Sequence, residues 1–270
     1  MRRPLLSLLL LAALTACSRD GGTGASPTTV PTGTAAADAQ ADADPPVAAG
    51  SCAAGPSTLK IPTSDGISLE ADLTTTGKSA GPAVVLLHMV PPSNDRKNFP
   101  AAFVSALVAK GISVLNVDRR GAGGSGGVAK DAYLGSKTAL DAKAAIDFLG
   151  AHACAFDRAR IGIVGASNGS TTTLDYTVSA ASPPRALVFL TGGTYTEAQT
   201  KLADQRTKLD PIPILFVYST DESAWSKGFS TGASPKWVFK EYAGGDHGTR
   251  MFTAVPESIN DVASFLATSL

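Results

Sequence analysis

The chain has 270 residues, with 23 basic and 23 acidic side chains, three histidines and 44% hydrophobic residues, so its formal net charge is zero. There is no basic stripe, and Arg119-Arg120 is an isolated pair, which excludes nucleic acid as the expected partner. No Cys or His stands at ligand spacing from another, which excludes a structural metal site.

Taken in order, the first segment is not part of a fold. Arg2 and Arg3 precede an apolar run from Leu5 to Ala13, too short for a membrane span and typical of a signal peptide over residues 1–16. It ends in Leu14-Thr15-Ala16-Cys17, which resembles the lipobox of bacterial lipoproteins; an ordinary secretory signal cleaved nearby is the alternative. The resemblance implies lipid modification of Cys17, attachment to the cell envelope and, with Ser18 next, sorting to the outer membrane or cell surface. Residues 17–51 are Gly, Ala, Thr, Pro and Asp with almost no large apolar side chain, and are expected to be a disordered tether. Residues 52–270 suffice for one substantial domain. Cys52 and Cys154, an even pair in an exported chain, are expected to form a disulfide.

Within that domain, Leu59 to Leu73 suggests an antiparallel hairpin turning at Ser64-Asp65-Gly66. Pro82 to Met89 is apolar on both faces, as in the middle of a parallel sheet. A helix is expected from Asn98 to Lys110, with Phe99, Ala102, Phe103, Ala106 and Leu107 on one face, and then a strand from Ile112 to Val117. Ala142, Ala145, Ile146 and Leu149 mark a second helix. Further strands follow at Gly162–Val164, Ala186–Leu190, Ile212–Val217 and, at an edge, Trp237–Tyr242; a helix after Pro256 closes the chain. Strands alternating with helices predict an α/β fold, a mostly parallel central sheet with helices on both faces.

The stretch that carries chemistry is Gly165-Ala166-Ser167-Asn168-Gly169. It follows a β-rich apolar run and opens a helix, as a nucleophile elbow must. Two other matches to Gly-x-Ser-x-Gly, around Ser125 and Ser230, lack that context and read as loops. A serine nucleophile needs a base and a carboxylate to orient it, in the chain order Ser, acid, His. Only His247 follows Ser167, in the glycine loop between the last strand and the last helix. Asp221 stands after the penultimate strand and is the expected acid, with Glu222 as rival. The backbone N–H groups of Asn168 and Met89 are the expected oxyanion donors. His88 either pins the Met89 loop or packs.

Leu86-Leu87-His88, the Asp118 to Ser125 block, the Ser167 elbow, Asp221 and His247-Gly248 together resemble the α/β-hydrolase superfamily. Small exported esterases and dienelactone-hydrolase-like proteins are the nearest in kind, although the latter use a cysteine nucleophile. The resemblance implies that Asp118, Arg120 and Ser125 are structural. It also implies an ester hydrolase that forms an acyl-enzyme and needs no metal or organic cofactor. The gap between Leu190 and Ile212 leaves no space for a cap domain, which suits small or surface-presented ester substrates. A peptidase or acyltransferase on the same triad remains open, as does a cell-surface binding lipoprotein without turnover.

Overall fold

The computed structural model describes residues 52–270. The expected signal peptide, Cys17 and tether of residues 17–51 lie outside the described residues. An entry hairpin, β1 (Gly55–Pro62) and β2 (Ser68–Thr75), pairs antiparallel with Leu59 opposite Ala71. Gly66 closes its turn at φ +82°, in the left-handed region that glycine enters without a Cβ penalty.

After it come β3 (Ala83–Leu87), α1 (Ala101–Ala109), β4 (Ser113–Val117), α2 (Leu140–Ala151), β5 (Ile161–Ala166) and α3 (Gly169–Ser179). β6 (Ala186–Leu190), β7 (Ile214–Ser219), β8 (Trp237–Tyr242) and a C-terminal helix (Glu257–Ser269) complete the domain. The eight strands form one sheet in the order β1-β2-β4-β3-β5-β6-β7-β8, with β3 to β8 parallel. This is the α/β-hydrolase fold.

Every residue of β3 to β7 is buried, because helices cover both faces. Successive strand residues point to opposite faces. Val85, Leu87, Ile163 and Phe189 therefore pack with Ala145 and Leu149 of α2 and Leu174 of α3. Val84, Leu86, Val164 and Val188 pack instead with Phe103 and Leu107 of α1 and with Val262 and Leu266 of the C-terminal helix. β8, with Trp237 buried and its other residues half-buried or exposed, lies at the sheet edge, as its sequence pattern predicts.

Two boundaries differ from the sequence reading. α1 begins at Ala101 rather than Asn98, because Pro100 drives the preceding Phe99 into extended backbone. Residues Arg96–Asn98 instead form a 3-10 turn capped by Asp95. β7 starts at Ile214 rather than Ile212, since Pro213 has no N–H to give the ladder.

Cys52 and Cys154 are disulfide-bonded across a sequence separation of 102 residues, tying the start of the domain to the loop before β5. Closing so long a loop removes much of the entropy of the unfolded chain. Replacing both cysteines by alanine should lower the unfolding free energy by about 2–4 kcal/mol. Chemical denaturation of the oxidised domain beside the double variant measures this, and an unchanged midpoint would contradict it.

Candidate active site

The site is assembled at the carboxyl ends of the parallel strands. Ser167 follows β5 directly and adopts φ +50°, a conformation that L-residues rarely hold. The turn is forced by close approach. A Cβ on Gly169 would stand 2.2 Å from the Leu87 carbonyl oxygen, and one on Gly165 would stand 2.6 Å from the Gly169 oxygen. Only glycine lets α3 press this near to β3 and β5. The Ser167 N–H donates to the Leu190 carbonyl at 2.8 Å, so β6 also fixes the elbow. α3 is buried largely through threonines, whose hydroxyls return to the backbone: Thr173 to Gly169 at 2.9 Å and Thr177 to Thr173 at 2.7 Å.

His247 Nε2 lies 2.6 Å from Ser167 Oγ. Its other ring nitrogen, Nδ1, lies 2.8 and 3.0 Å from the two carboxylate oxygens of Glu222. Asp221, the acid expected from the sequence, makes no hydrogen bond to the ring and is exposed. The reason is local. After β7 the chain takes a single 3-10 turn over Thr220–Glu222, and neighbouring residues of such a turn point about 120° apart. Glu222 is the one turned toward His247. Asp246 is occupied elsewhere, accepting from the His247 N–H at 2.5 Å and from Arg250 Nε at 3.1 Å. Asp210 pairs with Arg206 at 2.6 Å.

The expected oxyanion donors flank this line. Asn168 and Met89 are both buried, and neither backbone N–H meets an acceptor among the described residues. His88 pins the Met89 loop rather than merely packing. Burial, reinforced by the charge of Arg119, pushes its imidazole down to about 3, so the ring is neutral. It therefore donates from Nδ1 to the Met89 carbonyl at 2.8 Å and accepts the Arg119 N–H on Nε2 at 2.9 Å. His152 plays no part here, accepting the Cys154 N–H at 3.1 Å and stacking on Phe156.

Three side chains in and around the site were not read from the sequence. Thr191, at φ +50° after β6, accepts the Gly248 N–H on its hydroxyl at 3.0 Å and so braces the histidine loop. Tyr195 donates its hydroxyl to the Thr191 carbonyl and sets its ring edge-on to His247, with centroids 6.3 Å apart. Burial pushes this phenol up to about 12; contact with the Ser167 hydroxyl opposes the shift and the Glu222 charge adds to it. Tyr195 thus stays protonated beside the serine. Arg119, fully buried, donates to Asn168 Oδ1 at 3.1 Å and to the His88 and Met89 carbonyls at 3.2 Å. The position of Thr191 and Tyr195 just beyond a strand's carboxyl end was the available signal for those two.

In the block after β4, Asp118, Arg120 and Ser125 are scaffold, as the resemblance implied. Asp118 accepts from the Arg96 and Gly124 N–H groups at 2.7 and 2.8 Å, and Ser125 donates to the Asp118 carbonyl at 2.6 Å. Arg120 pairs with Asp141 at 2.7 Å and with Asp65 at 2.8 Å. Ser230 is exposed and donates to the Lys227 carbonyl at 2.7 Å.

With this geometry in hand, the family profile of the X-Pro dipeptidyl-peptidases (S15 family) matches residues 65–201. The chain belongs to that family. The matched stretch runs from the β1–β2 turn through Ser167 and stops before Glu222 and His247. No curated protein sequence matches the chain. Solved structures of the same fold include an esterase from Pyrococcus furiosus, at 17% identity, 81% of this chain, 92% of that one and a TM-score of 0.64. A thermostable carboxylesterase cloned from a metagenomic library matches at 18% identity, with coverages of 80% and 90% and a TM-score of 0.57. A dienelactone hydrolase from Anabaena variabilis matches at 14% identity, with coverages of 79% and 95% and a TM-score of 0.54. At such identities the likeness establishes the fold. Family and fold together place the chain among the serine hydrolases, a group that includes both esterases and peptidases.

Glu222→Gln should slow labelling of the serine by a fluorophosphonate by roughly 10³-fold or more, while Asp221→Asn leaves it near wild type. Labelling rates read by gel fluorescence decide between them, and the reverse pattern would return the role to Asp221.

Proposed function

We propose that the protein is a serine ester hydrolase acting through an acyl-enzyme, with Ser167 as nucleophile, His247 as acid–base and Glu222 as the orienting carboxylate. The 2.6 Å contact between His247 Nε2 and Ser167 Oγ, with Glu222 on the far nitrogen of the same ring, is the observation that carries it. Ser167 Oγ attacks the ester carbonyl carbon and its proton passes to His247 Nε2. Glu222 holds Nδ1–H and stabilises the imidazolium that forms. The negative oxygen of the tetrahedral intermediate takes hydrogen bonds from the N–H groups of Asn168 and Met89. His247 then gives its proton to the leaving alkoxide, leaving the acyl group on Ser167. Water, deprotonated by the same histidine, releases the carboxylic acid and restores the serine.

Only short helical turns stand between β6 and β7, over Leu202–Gln205 and Arg206–Leu209, so no cap domain covers the serine from that connection. An open rim of this kind suits short acyl groups or esters presented on a larger surface. A peptidase is the second reading, and the S15 family match favours it, because X-Pro dipeptidyl-peptidases give that family its name.

The chain is further proposed to be exported and lipid-anchored at Cys17 in a bacterial envelope, with residues 17–51 as a tether. Support comes from Leu14-Thr15-Ala16-Cys17 after the apolar run and from the small, polar composition that follows. Metabolic labelling with an alkyne fatty acid should mark the wild-type chain and not Cys17→Ser. Equal labelling of both would remove the anchor.

A panel of p-nitrophenyl esters beside Gly-Pro p-nitroanilide tests the reaction. The expected result is turnover of short-chain esters, lost in His247→Ala, with the modified peptide of a fluorophosphonate adduct carrying Ser167. Preferred cleavage of the anilide would establish the peptidase instead. A folded protein that neither labels nor turns over would point to a binding lipoprotein.

A further inference from the structure

Arg119 is a buried cation without a direct counter-ion. None of its nitrogens pairs with a carboxylate among the described residues, and Nε has no partner at all. The two acids that contribute to its field are committed elsewhere. Asp141 binds Arg120 at 2.7 Å, and Asp175 accepts from Thr138 at 2.6 Å. Burial accordingly pulls the guanidinium down to about 10, where it is still charged at neutral pH. Burying an unneutralised charge is costly, and hydrophobic or paired alternatives are usually at least as stable. Its neighbour Arg120 follows the ordinary rule, with carboxylates at both ends.

What Arg119 touches suggests why the charge is kept. Nη1 donates to the His88 carbonyl at 3.2 Å. That carbonyl belongs to the same peptide unit as the Met89 N–H, one of the two expected oxyanion donors. Drawing electron density toward the carbonyl oxygen makes the N–H at the other end of the unit a stronger donor. Nη1 also holds the Met89 carbonyl at 3.2 Å, and both terminal nitrogens hold Asn168 Oδ1 at 3.1 Å. Nη2 is anchored behind, on the Ala132 carbonyl at 2.6 Å and Thr172 Oγ1 at 2.7 Å. One fork therefore grips the residues on both sides of the oxyanion position.

We infer that Arg119 is the positioning residue of the oxyanion hole, fixing Met89 and Asn168 and placing a positive charge with no directly paired carboxylate behind the oxygen that becomes negative. Nothing is transferred to or from the arginine, whose effect is on the transition state. The inference rests on the hydrolase reading above. It also separates two adjacent arginines, one structural and one tied to the reaction.

Two variants test it on the full chain with a p-nitrophenyl ester. Arg119→Met removes both fork and charge. Thr172→Asp leaves the fork in place but sets a carboxylate against Nη2, neutralising the charge where the fork is anchored. Arg119→Met should lower kcat by about 10²-fold with KM unchanged, and weaken a boronic-acid transition-state analogue in proportion. Thr172→Asp should lower kcat by roughly tenfold, again without change in KM, while its melting temperature stays at or above wild type. A folded Thr172→Asp with wild-type kcat would overturn the inference, and that variant decides alone if Arg119→Met does not fold. Loss expressed in KM rather than kcat would equally overturn it. An inert wild type would overturn the hydrolase reading along with it, whereas an active wild type indifferent to Thr172→Asp overturns only the role of Arg119.

Discussion

The tight passage from β5 into α3 is the constraint on which the rest of the domain depends. Ser167 is held at φ +50° because Gly169 must sit against the Leu87 carbonyl, closer than any side chain allows. That contact couples the nucleophile to the end of β3, and so to His88 and Met89. The Ser167 N–H on the Leu190 carbonyl couples it to β6, and Thr191 then braces the loop of His247. A backbone strain of this kind costs of order 1–3 kcal/mol and persists only where its surroundings over-determine it. Here three strands meet at the turn and supply that determination.

The loop after β4 adds a second layer of organisation, made of charge rather than of close approach. Three arginines lie near one another, and one of them is treated differently. Arg96 meets Glu70, Asp72 and Asp118, and Arg120 meets Asp65 and Asp141. Both are conventional networks that hold the entry hairpin and α2 to the sheet. Arg119 is surrounded by carbonyl and hydroxyl oxygens instead. Dipoles can satisfy its hydrogen bonds without cancelling its charge, so the field persists where two N–H groups converge.

Much of this was legible in the sequence, for reasons that can be named. Five-residue runs such as Ala83–Leu87 and Ala186–Leu190 are apolar on both faces, which a parallel sheet requires and little else tolerates. The elbow declared itself because a glycine-flanked serine stood between such a run and a helix, and the single histidine after it left no rival. Other features depend on angles that composition does not encode. Asp221 and Glu222 are chemically alike and adjacent, so the choice turned on a fraction of one 3-10 turn. Thr191 in the left-handed region carries no sequence mark. Arg119 showed in the sequence only as half of an isolated basic pair, because the direction of its side chain, into the core, follows only from where β4 ends.

The disulfide has a geometric consequence within the domain. Cys154 lies before β5, and the Ala80 N–H donates to its carbonyl just ahead of β3, so Cys52 is fastened at the starting ends of the parallel strands. Ser167, Glu222 and His247 all stand past the finishing ends of theirs. The described domain thus has a floor, where the disulfide sits, and a rim, where the catalytic side chains stand. Reduction of the disulfide would therefore free the first residues of the domain at the floor while leaving every catalytic group of the rim in place.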